Sequence, residues 1–177
     1  MKNLLLVLLV GFSLTASAEP ETLKVSSFAA LSDKEMGDIQ RASRKSKEGT
    51  KIEHPTFSLT VPKGWTISPS GPSSLLNADE LVSLIKDDAI VHVVISKSQR
   101  IGFDEWLKRF EGSSPSVATF NGKEFKTFLG KPSTEETTWY YYKASAHDLV
   151  VSASSPAKYP EEKKAEIKSM LSTLAAK

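Results

Sequence analysis

Phe57-Ser58-Leu59-Thr60-Val61-Pro62-Lys63-Gly64-Trp65 is the stretch from which the fold is read. Its alternation places Phe57, Leu59 and Val61 on one face of a strand and Ser58 and Thr60 on the other. Pro62-Lys63-Gly64 then turns the chain and leaves Trp65 to plug the end of the core. A Pro/Ser/Gly-rich loop is expected over residues 68–74, after which the strand texture continues. Glu80-Leu81-Val82-Ser83-Leu84-Ile85 and Ile90-Val91-His92-Val93-Val94-Ile95 flank Asp87-Asp88 and read as a hairpin. Val91, Val93 and Ile95 share one face, His92 and Val94 the other, and so apolar a run suggests a central strand covered on both sides.

Further along, the period changes. Phe103, Trp106, Leu107 and Phe110 fall at i, i+3, i+4 and i+7, which predicts a short helix over 103–110 burying an aromatic stripe. Asn121-Gly122 then joins two strands, 117–120 and 123–129, with the dipeptide that supplies both positive φ angles of a tight turn. Strands follow over 138–144 and 148–153, and Ser154-Ser155-Pro156 is expected to stop the sheet. In the first of these, Trp139 and Tyr141 share one face while Tyr140 and Tyr142 share the other. One pair must enter the core, and the second either lies under a helix or stands exposed as an interface anchor. A last helix begins near Pro160, carries Glu161 and Glu162 in its first turn, and packs through Ile167, Met170, Leu171 and Leu174. The order of elements predicts an α+β fold, an antiparallel β-sheet flanked by helices.

Upstream, Met1 to Ala18 has the three parts of an export signal. Lys2 is the positive end, Leu4 to Val10 the short apolar run, and Ala16-Ser17-Ala18 a small-residue cleavage site. The apolar run is shorter than the roughly 20 residues that span a bilayer. Between the signal and residue 55, an extension over 19–54 holds one expected surface helix, 32–46. It starts on the capping box Ser32-Asp33-Lys34-Glu35 and ends on Arg41, Arg44, Lys45 and Lys47. Those cations either compensate the helix dipole or form a patch for an acidic partner.

Composition removes several chemistries. The chain has 177 residues, a formal net charge of +2 and no cysteine. A near-neutral balance argues against an electrostatic nucleic-acid binder. The lack of cysteine excludes disulfides, thiol nucleophiles and thiolate metal sites. The imidazoles are His54, His92 and His147. His54 reads as a solvated loop residue before Pro55, and His92 as a structural histidine or the wall of a shallow cleft. His147-Asp148 resembles a carboxylate orienting an imidazole, although neighbours at a turn normally diverge. No phosphate-cradling glycine loop, nucleophile elbow or zinc spacing occurs.

Residues 55–175 resemble the PsbP-like superfamily of small α/β/α sandwiches. The resemblance rests on the Phe57-to-Trp65 stretch, the hairpin after it, the 103–110 helix, Asn121-Gly122-Lys123, the aromatic strand Trp139 to Tyr142, and the run through Ser152-Ala153-Ser154-Ser155-Pro156 into the last helix. Its members include photosystem extrinsic subunits and adaptors of bacterial secretion effectors, so the resemblance implies binding to other proteins without catalysis. The expectation is therefore an export signal (1–18), an extension (19–54) and a PsbP-like domain (55–177), acting in the periplasm as a non-catalytic protein-binding module. No catalytic residue, metal or cofactor is expected, and no nucleic-acid partner. An unidentified protein partner would meet Arg41, Arg44, Lys45, Tyr140 and Tyr142, and the protein would be a monomer or weak oligomer with no transmembrane segment after export. The alternative is a small-ligand carrier whose cleft between sheet and helix uses Trp65 and His92.

Overall fold

Asn121 (φ 45°) and Gly122 (φ 74°) both take the left-handed backbone of a two-residue hairpin turn. They join β8 (Ser116–Phe120) to β9 (Lys123–Leu129). Asp87 (φ 50°) does the same between β6 (Glu80–Lys86) and β7 (Ala89–Lys97). These two hairpins, both read from the sequence, belong to one large sheet. The computed structural model describes residues 20–24, 44–70, 80–97, 115–130, 134–144 and 147–177.

Within them the chain is sheet-dominated. The remaining strands are β1 (Thr22–Lys24), β2 (Arg44–Lys45), β3 (Thr50–Glu53), β4 (Phe57–Val61), β5 (Thr66–Ser70), β10 (Glu135–Lys143), β11 (His147–Pro156) and β12 (Ala175–Ala176), and one helix, α1, spans Glu161–Ser172. Eight strands form an antiparallel sheet in the order β2-β5-β6-β7-β11-β10-β9-β8. The other four form a smaller sheet, β1-β3-β4-β12, in which only β1 and β3 run parallel.

One core lies between these layers. Phe57, Leu59 and Val61 of β4, Val91, Val93 and Ile95 of β7, and Ile167, Met170, Leu171 and Leu174 all enter it, as their alternation and helical spacing predict. Each such fully buried side chain contributes on the order of 1.5–3 kcal/mol. Trp65 is buried there as well. A second, smaller cluster of Phe128 and Tyr141, with Trp139 and Val150 against it, lies on the opposite face of the large sheet.

Several expectations change for a physical reason. Arg44 and Lys45 are strand rather than helix, and Ser46 is buried. The Ser46 hydroxyl donates to the Pro62 carbonyl and accepts the Trp65 N–H at 2.9 Å, while its own N–H reaches the Trp65 carbonyl at 2.7 Å. Tertiary partners of this kind outweigh a weak helical pattern. β1 and β3 are hydrogen-bonded into the small sheet and β2 into the large one, so the described parts of 19–54 supply strands to both sheets. Residues 68–70 belong to β5, not a loop. β11 runs on through Ser154, Ser155 and Pro156 because β10 pairs along its whole length, with Thr137 and Ser154 hydroxyls 2.9 Å apart. His54 is only 3% exposed, not solvated. It stacks on Phe57 at 5.2 Å and its Nδ1 accepts the Thr56 N–H at 3.1 Å. The 103–110 helix, Arg41 with residues 32–43, and the export signal lie outside the described residues.

Helix α1 is fixed by its polar side as well as by its apolar one. The Glu166 carboxylate accepts the Trp65 indole N–H at 2.7 Å and the Lys86 ammonium at 2.7 and 2.9 Å. Burial works against this carboxylate, but the bonds from Lys86 and Trp65 outweigh it and hold its pKa below the usual 4.5. The stability it contributes is therefore present above 4.5 and lost as pH falls through the lowered value. Glu166→Ala should cost about 1–3 kcal/mol in denaturant unfolding at pH 7, since it strands the indole donor and the ammonium. Glu166→Gln, which keeps an acceptor for Trp65, should cost less, and both deficits should shrink in acid.

Candidate functional site

A sheet ends in strands whose outer backbone groups have no partner, and proteins normally blunt such edges with charge, brevity or cover. Among the described strands there are four edges. β1 is three residues long and ends on Lys24, β2 is the cationic pair Arg44-Lys45, and β12 is two residues. β8 is different. Its five residues, Ser116-Val117-Ala118-Thr119-Phe120, carry no charge, and Val117 is 63% exposed. Leu129, at the end of the neighbouring strand, is 53% exposed.

This edge is held firmly from behind. Phe120 packs edge-on against Phe125 and Tyr140, with centroids 5.1 and 5.2 Å apart. In the turn that follows, the Asn121 side-chain amide donates to the Leu174 carbonyl at 2.8 Å, tying the hairpin to the end of α1. Register with β9 sets Val117 beside Lys126 and Thr119 beside Glu124 on the face away from the main core, and Ala118 beside the buried Phe125. Chemically, such an edge offers main-chain donors and acceptors to an extended segment, with side-chain selection at alternate positions.

A second feature is a groove of about 420 Å³ between α1 and β4. Pro62 and Ala165 contribute apolar surface to its lining, over the buried Val61 and Met170, with Glu48, Glu162 and Ser169 as polar neighbours. It lies elsewhere than the cleft expected from the sequence. Trp65 is buried under α1 on the core side, whereas His92 is on the opposite face of the sheet, so the two cannot line one cleft. His92 Nδ1 lies 2.9 Å from the Ser83 hydroxyl, and burial pushes its pKa down.

The other expected site residues are dispersed. Arg44 pairs with Glu21 at 3.2 Å and Lys45 donates to the Gly64 carbonyl at 3.2 Å. Tyr140 and Tyr142 are half-buried against the main core, and burial pushes the Tyr140 hydroxyl up in pKa. Trp139 and Tyr141 belong to the second cluster, so both faces of the aromatic strand are packed. His147 and Asp148, as consecutive strand residues, point to opposite faces. Asp148 is 3% exposed, and its Oδ1 has no hydrogen-bond partner. Among the described residues no group of three or more His, Asp or Glu side chains is placed to hold a metal ion, and no helix is long and apolar enough to cross a membrane.

No family model matches this chain, and no curated protein matches it in sequence. Among solved structures it is similar to the cyanobacterial PsbP (CyanoP) of Synechocystis, with a TM-score of 0.49 and 11% identity over 69% of this chain and 87% of that one. A protein from Bacteroides thetaiotaomicron aligns with a TM-score of 0.44 and 12% identity over 68% of this chain and 45% of that one. Neither match brings an activity, a ligand or a partner to this chain.

Burial raises the Asp148 pKa above its usual 3.8, against a hydrogen bond from Tyr141 and the charges of Lys143 and His147. The folded chain thus holds this proton more tightly than the unfolded one. The stability that follows is complete below 3.8 and is lost as pH rises through the folded value. Asp148→Asn should melt higher than the natural protein at pH 7, with the gap closing toward pH 3 in parallel thermal scans.

Proposed function

We propose that this chain is an exported, non-catalytic protein-binding module that takes an extended segment of its partner along β8. The observation that carries this reading is the uncharged β8 edge, last in its sheet among the described strands, with Val117 standing out from it. A long edge without charge invites pairing by another chain, and here it is backed by ring contacts and the Asn121 tether. The amino-terminal pattern Met1 to Ala18 supports export to the periplasm, and the PsbP-like resemblance supports a helix-flanked sandwich and a binding role without turnover.

Adjacent residues of a strand point their N–H groups to opposite sides, so proline at Val117 and proline at Ala118 have different consequences. One removes a donor from the free edge and the other breaks the β9 ladder. Affinity capture from crosslinked envelope extract, read by mass spectrometry, should give one saturable protein with the natural chain. Of the two proline variants, one should melt normally yet lose that protein, and the other should melt lower. A normally melting proline variant that captures as well as the natural chain would sink the reading.

The groove favours a second reading, a carrier of a small cation with an aliphatic body. Glu48 and Glu162 would meet the charge and the Pro62 and Ala165 surface the body. Aliphatic diamines should then raise the melting temperature by mass action, and Glu48→Gln with Glu162→Gln should remove that rise.

A further inference from the structure

We propose that β8 pairs antiparallel with β8 of a second copy of this chain, so that a two-fold dimer covers the edge until a partner displaces it. This rests on the reading of β8 as the docking strand and names what occupies it first.

The five residues of β8 pair over their full length only when Ala118 faces Ala118 of the second copy. Val117 then lies opposite Thr119, and Ser116 opposite Phe120. On the face away from the core, the register with β9 extends each row to Lys126–Val117–Thr119–Glu124, the last two residues being those of the second copy. Every row therefore begins on a cation and ends on an anion, and nowhere are like charges set opposite each other. Val117, the most exposed of the large apolar side chains on the described surface, is covered by a threonine, a favourable cross-strand neighbour.

Closure follows from the other end of the same sheet. A head-to-tail contact would set β8 against β2 and could propagate without limit. But β2 is two residues long and both are cationic, so it offers no matching template. Isologous β8 pairing consumes the long uncharged edge of both copies and stops at two.

Two double variants test the register. Val117→Glu with Thr119→Lys sets Glu opposite Lys across the dimer axis, and each new charge also faces an opposite charge on its own β9, Lys126 or Glu124. Val117→Glu with Thr119→Glu instead sets Glu opposite Glu across the axis. Sedimentation velocity on the purified exported protein should show a concentration-dependent dimer. The Glu/Glu variant should weaken it by about tenfold or more, while the Glu/Lys variant keeps it. Melting curves identify any variant that fails to fold, and the Glu/Lys protein carries the test if the Glu/Glu protein does. A natural chain that stays monomeric at every concentration overturns the dimer, as does a dimer indifferent to Glu/Glu. Loss of the dimer in a folded Glu/Lys protein overturns this register. Capture separates the two proposals. A monomer that still takes its partner through β8 ends the self-pairing only, and partner capture untouched by the edge proline ends the docking strand itself.

Discussion

The Glu166 carboxylate is the junction on which the arrangement of layers depends. It binds the indole N–H of Trp65, at the end of the Pro62-Lys63-Gly64 turn, and the ammonium of Lys86, at the β6–β7 turn. One helical side chain thus holds two separate corners of the structure to α1. The helix then reaches the β8–β9 turn through the Leu174 carbonyl and β4 through Thr173, whose hydroxyl accepts the Thr60 N–H at 2.9 Å. Burying Trp65 is favourable only because its single polar atom finds a partner, since an orphaned donor would offset much of that gain.

From that anchoring follows the uneven character of the sheet edges. Lys177 closes one side of the small sheet, its N–H bonded to the Thr56 carbonyl and its ammonium on Glu53 at 2.8 Å. Hydrogen bonds from Lys177 and Lys51 hold the Glu53 carboxyl at about 2. The β2 side of the large sheet is latched by Ser46 onto the turn before Trp65. Among the described residues, β8 is secured from its inner flank alone. An edge that is rigid, uncharged and open is suited to accepting a strand, whereas a mobile one would lose ordering entropy on every encounter.

Sequence reading succeeded where a local rule dominates. Asn121-Gly122 sets a hairpin because its backbone angles do, and the 2-residue and 3.6-residue periods assign Leu59, Val93 or Leu171 to the core because burial follows from facing. It failed where a distant partner overrides local preference. Arg44 and Lys45 look helical beside their neighbours in sequence, yet the Pro62 and Trp65 backbone groups draw Ser46 into a strand-like extension. His54 looks solvated before a proline, yet the Phe57 ring lies against it. Trp65 and His92 are both plausible cleft residues in one dimension, and only strand pairing sends them to opposite faces.

The sequence by itself determined the hairpins and the core-facing side chains, because turn angles and hydrophobic periods act over a few residues. The candidate site was not legible in that way. Ser116 to Phe120 reads as an ordinary strand, and nothing in its residues says that it is an edge. Edge or centre is decided by the non-local pairing of β7 with β11, Val93 against Val151, from which β6 and β5 on one side and β10 and β9 on the other build the sheet outward. Only that tertiary order leaves β8 last in line, with Val117 in the open.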